Sequence, residues 1–154
     1  MFMKALSAAA GFEGRQLSDD ERQSLDTALR YFREAAPRHN ADEEESLFPR
    51  LRLLPHLEVR RALADLARLE QEHHWAAPLH LKVDGLGRKW LTDGELGKDE
   101  AQAFRTDVEK LAAMYRTHIE FEDSVLFPLA NRVLGAAEAA KIAAEMAKRR
   151  NLDI

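Results

Sequence analysis

One short motif occurs twice in the sequence, and each copy carries a histidine and a glutamate four residues apart. The first copy is HNADEEESLFP, from His39 to Pro49, and the second is HIEFEDSVLFP, from His118 to Pro128. On a helix, residues four apart lie on the same face, so each histidine projects beside its glutamate. Imidazole nitrogen suits iron, zinc or copper, and a glutamate adds a hard oxygen donor that can bridge two ions. Two such pairs on two helices predict one shared metal site with approximate two-fold symmetry.

The repetition of the whole motif is what favours a metal site over an ordinary helix surface. The candidate ligands from the two copies are His39, Glu43, His118 and Glu122. A single pair is a weak signal, because histidine and glutamate at this spacing are frequent on solvated helix faces. Solvated faces, however, have no reason to share an apolar Leu-Phe-Pro tail in the same register. Because Leu47 and Leu126 follow the histidines by eight residues, we expect both to pack in the core beside the site.

A third segment, LEQEHHWAAPLH, adds further candidate ligands. Leu69 marks the buried face of this helix, and His73 lies four residues later on the same face. His73 is therefore predicted to be a ligand, with a buried, hydrogen-bonded histidine as the alternative. His80 lies about 10 Å further along that face and is a weaker candidate. His74 is rotated by about 100° from His73 and is a candidate for an additional ligand or for a supporting role.

Three more side chains are candidates for additional ligands or for contact with the ligands. Glu44 and Asp123 occupy matching positions in the two copies of the motif, so both could support a ligand; simple solvation is the alternative. Tyr115 lies about one helical turn before His118 and could reach the centre.

The periodicity of apolar residues predicts that these motifs lie on helices, because period-2 strand patterns are hard to find. Ser18 followed by Glu21 predicts a capping box at a helix start. That helix is expected to continue through a kink at Pro37 as far as Phe48, with a turn after it. The other predicted helices cover about residues 1–10, 56–83 with a kink at Pro78, 99–131 and 136–150. The glycine-rich stretch DGLGRKWLTDGELGKDE is predicted to be a loop.

These elements predict an all-α, up-down antiparallel helical bundle. The length of 154 residues suits a single domain, with a core over residues 18–131 and an alanine-rich C-terminal helix over 136–150. The net charge of −4 argues against nucleic acid as a partner. The absence of cysteine excludes disulfides and thiolate metal sites. No apolar run approaches the length of about 20 residues that spans a membrane, so we expect a cytoplasmic protein that does not bind membranes.

The combination of HNADEEESLFP, LEQEHH and HIEFEDSVLFP, in this order, resembles the hemerythrin-like, or HHE cation-binding, family. The resemblance covers roughly residues 18–131. It implies a four-helix bundle around a non-haem di-iron centre that binds or senses oxygen, nitric oxide, peroxide or iron, by binding rather than by catalytic turnover. The metal ligands it implies are His39, Glu43, His73, His118 and Glu122, with the two glutamates as bridging carboxylates.

The sequence departs from the family pattern at two positions. The family's first helix carries a further histidine about 40 residues before the position of His39, and no histidine precedes His39 here. A second histidine often follows the position of His73 by four residues, where this chain has Ala77. Three histidines and two glutamates leave one of two metal positions poorly held. A mononuclear iron or zinc site, a late start of the chain, and a homodimer that completes the bundle are therefore open alternatives.

Two other functions compete with this prediction. A ferritin-like carboxylate enzyme needs two Glu-x-x-His motifs, and the chain has one clear example, from Glu70 to His73. A bundle that has lost its metal and acts as an interaction or dimerisation module would explain the missing histidine. Metal content distinguishes these alternatives.

Overall fold

The computed structural model describes residues 1–152, which form five helical segments and no strand. The predicted all-α fold is therefore confirmed. The segments are α1 (Phe2–Ala10), α2 (residues 19–53), α3 (Leu57–Asp93), α4 (residues 98–133) and α5 (Ala136–Arg149). Within the described residues, no helix combines the length and the hydrophobicity needed to cross a membrane.

Two of the helices contain turns of π-helix, and these turns coincide with the repeated motif. In α2 the π-helical turns are Tyr31–Ala35 and Asp42–Leu47, and in α4 the turn is Glu122–Leu126. Glu43 lies in the second of these turns, and Glu122 begins the third. A π-helical turn adds a residue to the helix and is often found at functional sites. Both motif glutamates are thus presented from the same kind of local distortion.

The predicted start of α2 is confirmed, but the helix runs further than expected. Ser18 caps the helix by accepting from the backbone N–H of Glu21, whose carboxylate accepts from the backbone N–H of Ser18. The helix continues through Pro37, as predicted. It does not end at Phe48, because Pro49 lies at the first turn of the last α-helical stretch, where proline's missing N–H costs little.

The prediction of a long glycine-rich loop is wrong. Helix α3 continues through Gly85 and Gly87 and ends only at Asp93. Gly87 allows a close approach, since a Cβ atom there would lie 2.6 Å from Cδ1 of Leu29. Trp90, one turn later, is almost completely buried. Tertiary packing thus overrides the low helix propensity of glycine in this segment.

The chain divides into two compact units. Unit 1 comprises Met1–Ala36 and His74–Arg116, and unit 2 comprises Pro37–His73 and the chain from Thr117 onward. The single domain expected over residues 1–154 stays a prediction. The core of unit 1 is built around the fully buried side chains of Leu6, Leu25, Leu29, Trp90, Phe104 and Leu111. The core of unit 2 is built around Phe48, Leu51, Leu66, Leu69 and Leu126.

The apolar tails of the two motif copies do not pack alike, which corrects the expectation for Leu47. Leu126 is fully buried, whereas Leu47 is only half-buried, and Phe48 is buried in its place. The π-helical turn has six residues in the first copy and five in the second. One extra residue rotates the side chains that follow it around the helix. The two identical Leu-Phe-Pro tails therefore turn different residues toward the core.

Candidate metal centre

Four buried side chains of unit 2 bring their metal-binding atoms together. The atoms lie within 4.8 Å of one another and belong to Glu43, His73, His118 and Glu122, which we call the four-residue cluster. The cluster draws one residue from α2, one from α3 and two from α4. The structure thus gathers four of the five ligands predicted from sequence, although that they bind metal stays a prediction.

The two histidines of the cluster face each other through the same ring atom. Nε2 of His73 lies 3.2 Å from Nε2 of His118. Nε2 of His118 also lies 2.7 Å from Oε1 of Glu122, and Nε2 of His73 lies 3.5 Å from Oε2 of Glu43. Two nitrogens and two carboxylate oxygens therefore converge on one small region.

The outer nitrogens of both rings are held by carboxylates, which determines the tautomer of each histidine. Nδ1–H of His73 donates to Oε1 of Glu44 at 2.7 Å, and Nδ1–H of His118 donates to Oε2 of Glu72 at 2.7 Å. A neutral imidazole that donates from Nδ1 carries its lone pair on Nε2. When both rings are neutral, the two Nε2 lone pairs point into the cluster, which is the arrangement found when an acid orients a metal-binding histidine.

The acids behind the histidines were only partly anticipated from sequence. Glu44 occupies the supporting position that its place in the repeat suggested. Its counterpart in the second copy, Asp123, is exposed, and His118 is held by Glu72 instead. Glu72 itself accepts a hydrogen bond from Arg68 at 2.8 Å. The sequence did contain a signal for Glu72: it lies directly before the predicted ligand His73, just as Glu44 lies directly after the predicted ligand Glu43.

The carboxylates of the cluster are buried without adequate hydrogen-bond partners. Both oxygens of Glu43 and Oε1 of Glu122 lack a hydrogen-bond partner, and Nε2 of His118 lies 2.7 Å from Oε1 of Glu122. Burying a carboxylate in this way is costly unless a cation or a proton neutralises it. Two imidazoles and two carboxylates are a donor set that suits a divalent transition metal. The residues present therefore fit the bound metal cation that the sequence predicts.

The two cluster carboxyls titrate in opposite directions because they share a buried space. Burial, and then the nearby Glu122 carboxylate, raises the pKa of Glu43 to about 8. Burial also acts to raise the pKa of Glu122, but the imidazoles of His118 and His39 outweigh it and lower that pKa to about 2. The pair thus holds one proton near neutral pH, which a metal ion would displace.

A neighbouring acid shows that burial alone does not leave a carboxylate unpaired. Asp42 is as buried as Glu43, yet its two oxygens bind the guanidinium groups of Arg149, at 3.0 Å, and of Arg150, at 2.5 Å. The chain thus provides two arginines for Asp42, whereas only the imidazoles of His39 and His73, at 3.7 and 3.5 Å, lie near Glu43. This difference points to an external cation at Glu43.

His39, the fifth ligand predicted from sequence, lies at the edge of the cluster. Its side chain is 43% exposed, and its Nε2 lies 3.7 Å from Oε1 of Glu43 and 3.8 Å from Oε1 of Glu122. The carboxylate of Glu122 raises the pKa of His39. Glu43 therefore turns one oxygen toward His39 and the other toward His73.

The remaining candidates belong to unit 1 and are not part of the four-residue cluster. His74 is exposed. Nε2 of His80 lies 2.9 Å from the hydroxyl of Tyr115, and its ring stacks on Phe32 with 4.7 Å between centroids. Burial lowers the pKa of His80 to about 4, so this imidazole is neutral at physiological pH. His80 and Tyr115 thus partner each other.

Comparison with known proteins agrees with this geometry. Neither the curated proteins nor the solved structures gave a match. A family model, described as Hemerythrin HHE cation binding domain, matches residues 3–130 and so includes every residue of the four-residue cluster. From this match over most of its length, the chain belongs to the hemerythrin HHE cation binding domain family.

Proposed function

We propose that this protein binds iron at the four-residue cluster, and that the bound iron takes up a small ligand of the class of dioxygen, nitric oxide or peroxide. The observation that carries the proposal is the convergence of unpartnered, buried carboxylate oxygens on two imidazole lone pairs. Such an arrangement is unfavourable without a cation and supplies four donor side chains when one is bound.

The residues divide into ligands and the groups that orient them. His73 and His118 contribute Nε2, while Glu44 and Glu72 hold the rings from behind. Mixed nitrogen and oxygen donors that leave positions open are typical of non-haem iron sites that bind oxygen. Family membership favours a cation, and this donor set favours iron among the cations.

The position of His39 supports a second metal ion. Glu43 has one oxygen within 3.7 Å of His39 and the other within 3.5 Å of His73. A carboxylate with an imidazole on each side is suited to bridge two ions. Because His39 is the sole imidazole on its side in the described contacts, the second ion would be bound more weakly than the first.

The redox chemistry and the point of attachment for the small ligand would come from the iron, and the chain supplies its surroundings. Leu69 lies one turn before His73, Leu126 lies one turn after Glu122, and both are fully buried. Apolar side chains next to a metal site limit the access of water and influence its redox behaviour.

The decisive experiment measures metal content and visible absorption together. The protein is purified anaerobically and reconstituted with ferrous iron; metal per chain is measured, and spectra are recorded before and after exposure to air or nitric oxide. We expect one tightly bound iron, a second that is more easily removed, and a new absorption band when the small ligand is added.

A matched pair of variants identifies the site. His118→Ala should lose the tightly bound iron and the band, whereas His74→Ala, which changes the exposed histidine directly after His73, should keep both. Unchanged iron content in His118→Ala would refute the assignment. A protein that takes up no metal under these conditions would instead favour the interaction-module alternative.

The ferritin-like enzyme has less support than iron and ligand binding. Its Glu-x-x-His motif requires the carboxylate of Glu70 at the metal, but both oxygens of Glu70 accept hydrogen bonds from Arg52, at 2.9 and 2.8 Å. Rapid catalytic oxidation of ferrous iron by the purified protein would reverse this preference.

A further inference from the structure

Two arginines at the end of α5 bind the π-helical turn of the first motif copy. Nη1 of Arg149 donates to the carboxylate of Asp42 at 3.0 Å, and its Nη2 donates to Oγ of Ser46 at 2.8 Å. The same Nη2 also donates to Oε2 of Glu45 at 3.1 Å. Arg150, directly after the helix, donates to both carboxylate oxygens of Asp42, at 3.2 and 2.5 Å. We call these two arginines and their three partners the arginine clamp.

The centre of the arginine clamp is buried, unlike an ordinary surface ion pair. Asp42 is 3% exposed, Ser46 is fully buried, and the side chain of Arg149 is 20% exposed. Basic residues are favoured at the C-terminus of any helix, but that role requires no partner outside the helix. Removing the partner of a buried charge is costly, so Asp42 keeps its position while the arginines are bound to it. The clamp therefore links α5 to this turn.

The two copies of the motif differ at the three positions that α5 holds. In the second copy the corresponding residues are Phe121, Ser124 and Val125. Within residues 1–152, which the structure describes, no side chain of α5 forms a hydrogen bond or an ion pair with the turn Glu122–Leu126. The clamp thus belongs to the first copy, and α5 lies beyond residue 130, where the family match ends.

The turn that the clamp holds determines where the side chain of Glu43 points. The backbone N–H of Phe48 donates to the carbonyl of Glu43, five residues earlier, so the π-helical bond closes over the proposed ligand itself. In an α-helix that carbonyl would accept from Leu47 instead, and a shift of one residue rotates side chains by about 100° around the helix. A π-helical turn is rare and needs contacts that favour it over the α-helical arrangement. The clamp supplies them on both sides, because Asp42 precedes Glu43 and Ser46 follows it.

We propose that Arg149 and Arg150 are positioning residues of the proposed metal centre: the clamp holds the π-helical turn that directs Glu43 into the four-residue cluster, and full metal affinity requires it. This role rests on the proposed function, because it concerns the same centre. Electrostatics alone makes the opposite prediction, since removing two positive charges near a cation site should strengthen metal binding. The sign of the effect therefore distinguishes positioning from charge.

The experiment measures the affinity of the full-length protein for cobalt(II) by competition with a coloured chelator. In the double variant Arg149→Ala/Arg150→Ala we expect an affinity at least about tenfold lower, and a changed shape of the ligand-field absorption per bound ion. Glu138→Ala removes an ion pair between α5 and Arg50 that does not include the turn, so it should keep both the affinity and the band shape. Equal or higher affinity in the double variant would overturn the proposal.

Hydrogen exchange in the metal-free protein tests the turn itself. The amide of Phe48 closes the first turn, and the amide of Phe127, which donates to the carbonyl of Glu122, closes the second. Loss of the clamp should make the Phe48 amide exchange at least about tenfold faster and leave the Phe127 amide unchanged. Equal acceleration of both amides would show a general loss of stability and would overturn the specific role of the clamp.

A charge-conserving variant keeps the proposal testable if the double variant does not fold. Arg149→Lys retains the positive charge, but one ammonium group does not reproduce the planar fork that binds Asp42 and Ser46 together. We expect cobalt(II) affinity to fall by about two- to tenfold, as for the loss of one hydrogen bond. Unchanged affinity in this variant would also overturn the proposal.

The outcomes for the clamp and for the proposed function are distinguishable. Metal binding of equal strength in the wild type and in both arginine variants would reject the clamp and leave the metal centre standing. A wild-type protein that binds neither ferrous iron nor cobalt(II) would reject the metal centre and, with it, the positioning role, whatever the exchange rates show.

Discussion

The two units of this chain bury different kinds of side chain. Unit 1 has an apolar core, and Asp107 is its one buried charged or polar residue among the residues described. Unit 2 buries the four-residue cluster together with Asp42 and Ser46. Because burying polar groups opposes folding unless they are paired, the difference indicates that unit 1 is organised for stability and unit 2 for binding.

The same contrast exists on a smaller scale between two adjacent acids of unit 2. Asp42 is neutralised by Arg149 and Arg150, and it therefore helps to hold α5. Glu43 has no arginine partner, and neither of its oxygens has a hydrogen-bond partner. Stabilising residues can thus be distinguished from binding residues by comparing variants of unit 1 with variants of unit 2, and by comparing variants within unit 2.

The largest expected effect is on the core of unit 1. Trp90→Ala should lower the free energy of unfolding by about 3–5 kcal/mol, because it removes a fully buried ring that also donates a hydrogen bond to the carbonyl of Arg15. Urea denaturation of the metal-free protein measures this change. Trp75→Ala, at a 47% exposed position of the same helix, should change it by less than about 0.5 kcal/mol.

If unit 2 gives up stability for binding, replacing one ionisable cluster carboxyl by a neutral amide should stabilise the metal-free protein. Glu43→Gln should raise the free energy of unfolding by about 1–3 kcal/mol at pH 7, while it weakens metal binding. Glu120→Gln, at an exposed position, is the control. A destabilised Glu43→Gln protein would show that this carboxylate serves the fold, and would break the comparison between the units.

The pH dependence of that effect follows from the raised pKa of Glu43. This carboxyl has a pKa of about 8 in the folded protein against 4.5 as its ordinary value, so the folded state retains a proton that the unfolded state loses. Its contribution to stability is therefore complete below about pH 4.5 and is lost as the pH rises toward 8. The advantage of Glu43→Gln over the wild type should accordingly be larger at pH 8 than at pH 5.

A smaller effect is expected for the acids that orient the ligands. Glu44→Gln and Glu72→Gln should each weaken metal binding by about 10- to 100-fold, because each replaces the charged acceptor behind a cluster histidine by a weaker, neutral one. Metal competition with a coloured chelator measures the affinity. Asp123→Asn changes the repeat position equivalent to Glu44 but an exposed side chain, so it should leave the affinity unchanged.

The smallest expected effect tests an ordinary local contact in unit 1. Ser18→Ala should lower the free energy of unfolding by about 1 kcal/mol, since it removes the side-chain cap of α2. Thermal unfolding measures the loss, and metal stoichiometry should not change. An altered metal content in this variant would mean that residues that stabilise the fold cannot be separated from residues that bind metal.

Sequence patterns predicted the helices and most of the site, because both depend on local spacing. The capping box at Ser18 and the four-residue separation from His118 to Glu122 are properties of a single helix, and both are found in the structure. The predicted loop around Gly87 was wrong, because the glycine there serves the packing of Leu29 from another part of the chain. Helix propensity describes single residue types and so does not reflect such a tertiary contact.

The supporting residues show the same limit within the site. Glu44 and Asp123 are equivalent in the repeat, yet one holds His73 and the other is exposed. The position behind His118 is taken by Glu72, which comes from a different helix. Residues at equivalent positions of the repeat have different roles because the tertiary structure gives each copy of the motif different neighbours.

The sequence by itself determined that the chain is helical, that histidines and glutamates recur on shared faces, and that the family's metal-binding pattern is present. Only the tertiary structure decided which side chains meet and which acid is neutralised by arginine. The physical reason is that periodicity along one helix is a local property. Burial and the pairing of charges, by contrast, depend on residues distant in the chain.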